Sequence, residues 1–211
     1  MKIGAVLTAD IVNSSLLPPR DLEGLSEAIM LLLQDCDPKV HFYRGDGFNA
    51  LVTPQEALFV AARLRAFTRS YRPRGIKEPI DIRIAIGIGP VEEPVLSMAS
   101  GKGEAFILSG RELDSITNSD RRLVIRCYDK KAELGFTAID IFSDYIISKL
   151  STQQAMVVFE LLKGSSEKET AMHLKKAQPT VNKLKKAALW DELDQILKLY
   201  QELVLTLKPV I

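Results

Sequence analysis

Two aspartates stand where a divalent cation could be held. Asp10 closes the mostly apolar run Ile3-Gly4-Ala5-Val6-Leu7-Thr8-Ala9, and Asp46 sits between two glycines in Gly45-Asp46-Gly47. The first run reads as a buried strand with a carboxylate at its C-terminal end. The Asp-Gly pair, flanked by strand-like segments 40–44 and 48–52, reads as the tip of a β-hairpin. If these strands are neighbours, the two carboxylates converge. Such a pair of hard oxygen donors suits magnesium or manganese, completed by phosphate oxygens and water. The residues alone also permit a plainer reading, with Asp46 a turn residue and Asp10 a cap.

A second cluster is basic. Lys175, Lys176, Lys183, Lys185 and Lys186 supply five positive charges, and no acidic residue lies between Leu174 and Trp190. Contacts to the phosphates of double-stranded DNA need such a run. A solvated face of a helical bundle would carry the same residues.

The elements that must position these groups follow from periodicity. Leu22, Leu25, Ile29, Met30 and Leu33 fall at helical spacing over 22–33. Thr53 and Pro54 open a second helix over 54–71. Ile80, Ile82, Ile84, Ile86 and Ile88 alternate with Asp81, Arg83 and small residues, the pattern of a strand with one buried face. A loop over 90–103 precedes a helix over 104–116, a short strand over 123–127 and a longer helix over 129–150. This order predicts an α+β fold, a ferredoxin-like, mainly antiparallel sheet with helices on one face. Strand-like alternation stops near residue 150. We therefore expect two domains, 1–149 with the long connecting helix, and an all-α unit over 150–211. In the latter, helices end at Gly164, run through Ala171 and Met172, restart at Gln178 and again at Trp190. These lengths suit a helix-turn-helix, with Val181 and Leu184 inward beneath a recognition helix.

Composition narrows the classes. Of 211 residues, 46% are hydrophobic and 26% charged, a chain able to bury a core. Lys and Arg number 28 against 27 Asp and Glu, so a nucleic-acid signal must be local. Cys36 and Cys127 are the two cysteines, which argues against a disulfide framework or a zinc finger. Asp10 interrupts the N-terminal apolar run, and no window reaches the roughly 18 apolar residues of a membrane span. A soluble, cytoplasmic protein is expected.

Two resemblances add to this reading. Leu150-Ser151-Thr152-Gln153-Gln154, Gly164 through Ala171 and Gln178-Pro179-Thr180-Val181 resemble the helix-turn-helix at the C-terminus of sigma factors and related regulators. That resemblance implies Gln178, Thr180, Asn182 and Lys183 as recognition-helix residues. Over about residues 3–115 the chain resembles the catalytic domain of class III nucleotide cyclases. Ala9-Asp10-Ile11-Val12-Asn13-Ser14-Ser15 and Arg44-Gly45-Asp46-Gly47-Phe48 resemble its two metal-binding segments, which implies a metal and a nucleotide at Asp10 and Asp46. Residues 83–90 resemble the following strand, and residues 103–111 the helix carrying transition-state residues. Arg111 falls at that family's arginine position, whereas Phe42 stands for its base-recognising lysine and Ile107 for its catalytic asparagine. Loss of a polar group aimed at developing phosphoryl charge should cost orders of magnitude in rate. The overall layout also resembles the SatD-like group of small bacterial regulators. Together these imply a homodimeric DNA-binding transcriptional regulator with a degenerate cyclase-like sensing domain. The alternatives are a metal-dependent cyclase or related phosphoryl-transfer enzyme using Asp10, Asp46 and Arg111, and a protein-interaction adaptor.

Overall fold

A computed structural model describes residues 2–34, 39–43, 46–73, 80–95 and 97–208. Five strands form one mixed sheet in the order β2-β3-β1-β4-β5. They are β1 (Lys2–Ile11), β2 (Lys39–Tyr43), β3 (Gly47–Val52), β4 (Ile82–Val91) and β5 (Leu123–Cys127). The pairs β1–β3, β1–β4 and β2–β3 are antiparallel, and β5 joins β4 in parallel. With α1 (Pro19–Gln34) after β1 and α2 (Ala57–Ser70) after β3, the first four strands form the split βαββαβ unit of a ferredoxin-like sheet. Helix α2 starts three residues later than its proline suggested, because Pro54–Glu56 forms a 3-10 turn that Thr53 Oγ closes on the Glu56 carboxylate at 2.6 Å.

The period of two along β1 and β4 sorts the core. Ala5, Leu7, Ala9 and Ile11, with Ile82, Ile84, Ile86 and Ile88, face one side and pack with Leu25, Ile29 and Leu33 of α1 and Leu58, Ala61 and Leu64 of α2. The expectation of helices on one face is corrected here. Helix α3 (Glu104–Ile116) lies on the other face, where Ala85 and Val124 meet Leu113 and Ile116, and Val6 meets Ala105. Strand β4 is therefore buried on both faces rather than one. Its small residues make that possible: a Cβ on Gly87 would lie 2.2 Å from the Ala105 carbonyl oxygen and 2.6 Å from the Ser109 amide.

Asp81 is not a strand residue. It precedes β4, buried, and accepts hydrogen bonds from Arg65 Nε at 3.1 Å and from the Arg69 guanidinium at 2.8 Å. Arg65 is fully buried and also reaches Asp144 of α4 (Lys130–Lys149) at 2.6 Å. Burial opposes every charge here, but the two arginines hold the Asp81 carboxyl below its ordinary range.

The hydrophobic core continues past residue 150. Four helices follow α4: α5 (Thr152–Leu162), α6 (Glu167–His173), α7 (Gln178–Ala187) and α8 (Trp190–Leu205). Ala155, Val158, Leu162, Leu193, Leu197, Tyr200 and Val204 belong to the same buried cluster as the sheet. Phe67 of α2 packs on Phe159 of α5, and Phe136 of α4 meets Tyr200 of α8 edge-on, with ring centroids 5.4 and 5.6 Å apart. The Tyr200 hydroxyl donates to the Pro54 carbonyl at 2.7 Å. A smaller cluster of Val157, Ala171 and Val181, flanked by Leu161, Leu174 and Leu184, joins α5, α6 and α7.

Candidate functional site

Antiparallel pairing of β1 between β3 and β4 builds the site. Asp10 lies opposite Gly47 on one side and opposite Arg83 on the other. The Ile11 amide donates to the Asp46 carbonyl at 3.0 Å, which brings Asp46 to the end of β1. Asn13 then takes a left-handed φ of 57°, a conformation Asn tolerates, and the chain turns so that Ser14 Oγ donates to Asp46 Oδ2 at 2.6 Å. Arg44 and Gly45 of the hairpin segment lie outside the described residues, as does Cys36.

Asp10 projects to the face that α3 covers further along, where Thr8, two residues earlier, donates to Ser109 Oγ at 2.8 Å. Arg83 shares that face and donates to Asp10 Oδ2 at 3.1 Å. Burial raises the pKa of Asp10 most; Arg83 lowers it and the Asp46 carboxylate raises it, with a net rise. Two polar atoms in this pair are buried without a hydrogen-bond partner among the described residues: Asp10 Oδ1 and Arg83 Nε. The first is an acceptor that a cation would satisfy, and the second a donor that an anion would satisfy. Sequence reasoning missed Arg83 as a site residue, although the alternation of β4 had placed it off the isoleucine face.

Among the described residues no three or more His, Cys, Asp or Glu form a group that could hold a metal. A cation between Asp10 and Asp46 would therefore take its remaining ligands from Ser14, backbone carbonyls, water and substrate oxygens. Hard carboxylate donors and an orphaned buried oxygen fit magnesium or manganese. On α3, Ile107 and Arg111 are both exposed and one turn apart, and Phe42 stacks in a tilted pair with Phe48 at 5.2 Å. Neither the Ile107 nor the Phe42 side chain can donate a hydrogen bond.

The basic residues divide. Gln178, Thr180, Lys183 and Lys186 of α7 and Lys175 before it are exposed, and Lys176 is half-buried. Asn182 instead donates to Glu167 at 3.2 Å, and Lys185 lies 3.3 Å from Glu167 and 3.1 Å from Asp191. These carboxylates belong to α6 and α8, so the acid-free stretch in sequence is not acid-free in space. A cavity of about 540 Å³ lies at the other end of β1, lined in part by Lys2, Gly4, Leu51, Val91, Val204 and Leu207, and contains neither aspartate.

The chain matches no protein-family model, and no curated protein matches it. Solved structures similar to it include cyclase domains. The dimeric guanylyl cyclase domain of the RhoGC fusion protein from the aquatic fungus Blastocladiella emersonii is 19% identical, covers 55% of this chain and 75% of its own, and has a TM-score of 0.45. The adenylyl cyclase CyaB from P. aeruginosa is 17% identical over 59% of this chain and 76% of its own, TM-score 0.43. The GGEEF domain of a diguanylate cyclase from Vibrio cholerae is 14% identical over 61% and 85%, TM-score 0.42. No helix among the described residues is long and apolar enough to cross a membrane.

Proposed function

We propose that this chain binds a nucleoside phosphate together with a divalent cation, in the manner of a phosphoryl-transfer domain, at Asp10 and Asp46. The observation that carries this is the pair of buried, unpartnered atoms, Asp10 Oδ1 and Arg83 Nε, at the end of β1. A metal–phosphate pair supplies the cation one needs and the anion the other needs. Asp46, held by Ser14, is the second carboxylate. Slow turnover is expected, because hydrophobic Ile107 and Phe42 leave no hydrogen-bond donor where the cyclase resemblance puts a catalytic asparagine and a base-recognising lysine. Calorimetry with manganese and ATP or GTP tests the reading. Binding that drops at least tenfold in Asp46→Asn supports it, and absence of heat at millimolar nucleotide ends it. Any turnover of these triphosphates should vanish in the same variant.

A second reading concerns α6 and α7 as a helix-turn-helix on double-stranded DNA. It is favoured by one observation: Gln178, Thr180, Lys183 and Lys186 are exposed on α7 while Val181 is fully buried beneath them. Fluorescence anisotropy with mixed-sequence duplex at low salt checks it. Lys183→Glu with Lys186→Glu should abolish binding, and binding that ignores both changes would reject the reading.

A further inference from the structure

Helix α7 carries its polar residues on adjacent stripes. Lys183 and Lys186 form one, exposed and without an ion pair among the described residues. Asn182 and Lys185 form the next, about 100° around the helix. Both of these are half-buried, and both are held by carboxylates from other helices.

Glu167, the first residue of α6, bridges this second stripe. Its Oε2 accepts from Asn182 Nδ2 at 3.2 Å and its Oε1 from Lys185 Nζ at 3.3 Å. Asp191, in the first turn of α8, takes the same ammonium at 3.1 Å. Ser166 and Glu169 close a reciprocal cap on the first turn of α6, so Glu169 is committed locally and Glu167 is the carboxylate turned toward α7. The Glu167 and Lys185 side chains are only 28% and 20% exposed, so this pair is screened less than a fully solvated one. Two carboxylates on one ammonium also leave one negative charge in excess beside Lys183 and Lys186. A helix face otherwise suited to phosphate therefore has a margin that repels a polyanion.

We propose that Glu167 and Asp191 form an autoinhibitory clasp on α7, which occupies Asn182 and Lys185 and must release before that stripe can contact the phosphates of a duplex. The clasp rests on the DNA reading of α6 and α7, and adds that the resting affinity is set below what the basic residues could give. Exchange is chemically simple. Phosphate oxygens replace carboxylate oxygens on the same ammonium, which stays paired in both states, and the carboxylates turn into water.

Fluorescence anisotropy with a mixed-sequence duplex, on the full chain over a series of salt concentrations, tests the clasp. Glu167→Gln with Asp191→Asn should tighten binding roughly three- to tenfold at low salt and steepen the slope of log affinity against log salt by about one, the gain of one more phosphate contact. Asp191→Asn alone, at a side chain 69% exposed, should melt as the wild type does and give a smaller gain. Adding Lys185→Gln to the paired changes should cancel their gain. A purely structural strut predicts a lower melting temperature for the paired variant with affinity and slope unmoved, and that result overturns the clasp. If Lys183→Glu with Lys186→Glu abolishes binding while the carboxylate changes do nothing, the DNA reading survives and the clasp falls. If neither the wild type nor the carboxylate variants bind duplex, both fall.

Discussion

Asp10 and Arg83 form a cross-strand pair whose cost and use come from the same burial. A carboxylate half withdrawn from water beside a second carboxylate resists ionisation, and one guanidinium only partly offsets that. The folded pKa is raised, so below the ordinary range Asp10 is neutral in both folded and unfolded chains. As pH rises from the unfolded pKa to the folded one, the site loses the stability that neutral Asp10 gave it. A bound cation reverses that sign by needing the ionised form. Manganese affinity should therefore fall on acidification starting above the usual carboxylate range. A titration by calorimetry that follows an ordinary aspartate would contradict the burial argument. At Arg65, truncation to Ala leaves Asp81 and Asp144 buried without their shared partner. The expected loss is about 3–5 kcal/mol in urea unfolding, whereas Arg122→Ala, at a half-buried position, should cost far less.

At the scale of elements, the sheet is completed by a helix that glycine admits. Gly87 faces the Ala105 carbonyl and the Ser109 amide so closely that any side chain must push α3 off β4. Gly87→Ala should destabilise by about 1–3 kcal/mol, since backbone rather than a flexible side-chain tip has to move. It should also weaken nucleotide binding, because α3 is anchored beside the site through Thr8 and Ser109. Helices α5 and α6 each begin with a reciprocal cap, Ser151 with Gln154 and Ser166 with Glu169. Loss of the cap in Ser166→Ala should cost about 1 kcal/mol, read as a shift of the denaturation midpoint with unchanged slope. Each of these caps is local, closed between a serine and the residue three positions on.

For the whole molecule, the junction at residue 150 is tied rather than hinged. Arg69 donates to the Leu150 carbonyl at 2.7 Å and Arg72 to Thr152 Oγ at 2.9 Å, while α5 and α8 complete the core that covers the sheet. We expect one calorimetric unfolding transition for the full chain. A fragment 1–149 would expose the surface around Phe67 and Phe136 that α5 and α8 cover, and it should aggregate or unfold. Tyr200→Phe, which keeps the ring against Phe136 but removes the bond to Pro54, should cost about 1 kcal/mol. Two transitions, or a well-folded fragment, would show that the halves are energetically separate.

Local pattern by itself determined most elements. A mostly apolar run marked β1, alternation marked β4, the Asp-Gly pair marked the hairpin, and breaks at Gly164, Gln178 and Trp190 marked the helices α5 to α8, because each depends on residues within one or two turns. It also singled out Asp10 and Asp46, since a carboxylate ending an apolar strand is visible without any partner. Only the tertiary structure decided what those residues face. Arg83 reaches Asp10 across a ladder spanning 73 positions. Glu167 and Asp191 neutralise Lys185 from neighbouring helices, and α3 covers the second face of the sheet through a glycine-lined approach. Long-range register, helix docking and the sharing of one core across residue 150 depend on chain closure in space, for which no short stretch of sequence carries the signal.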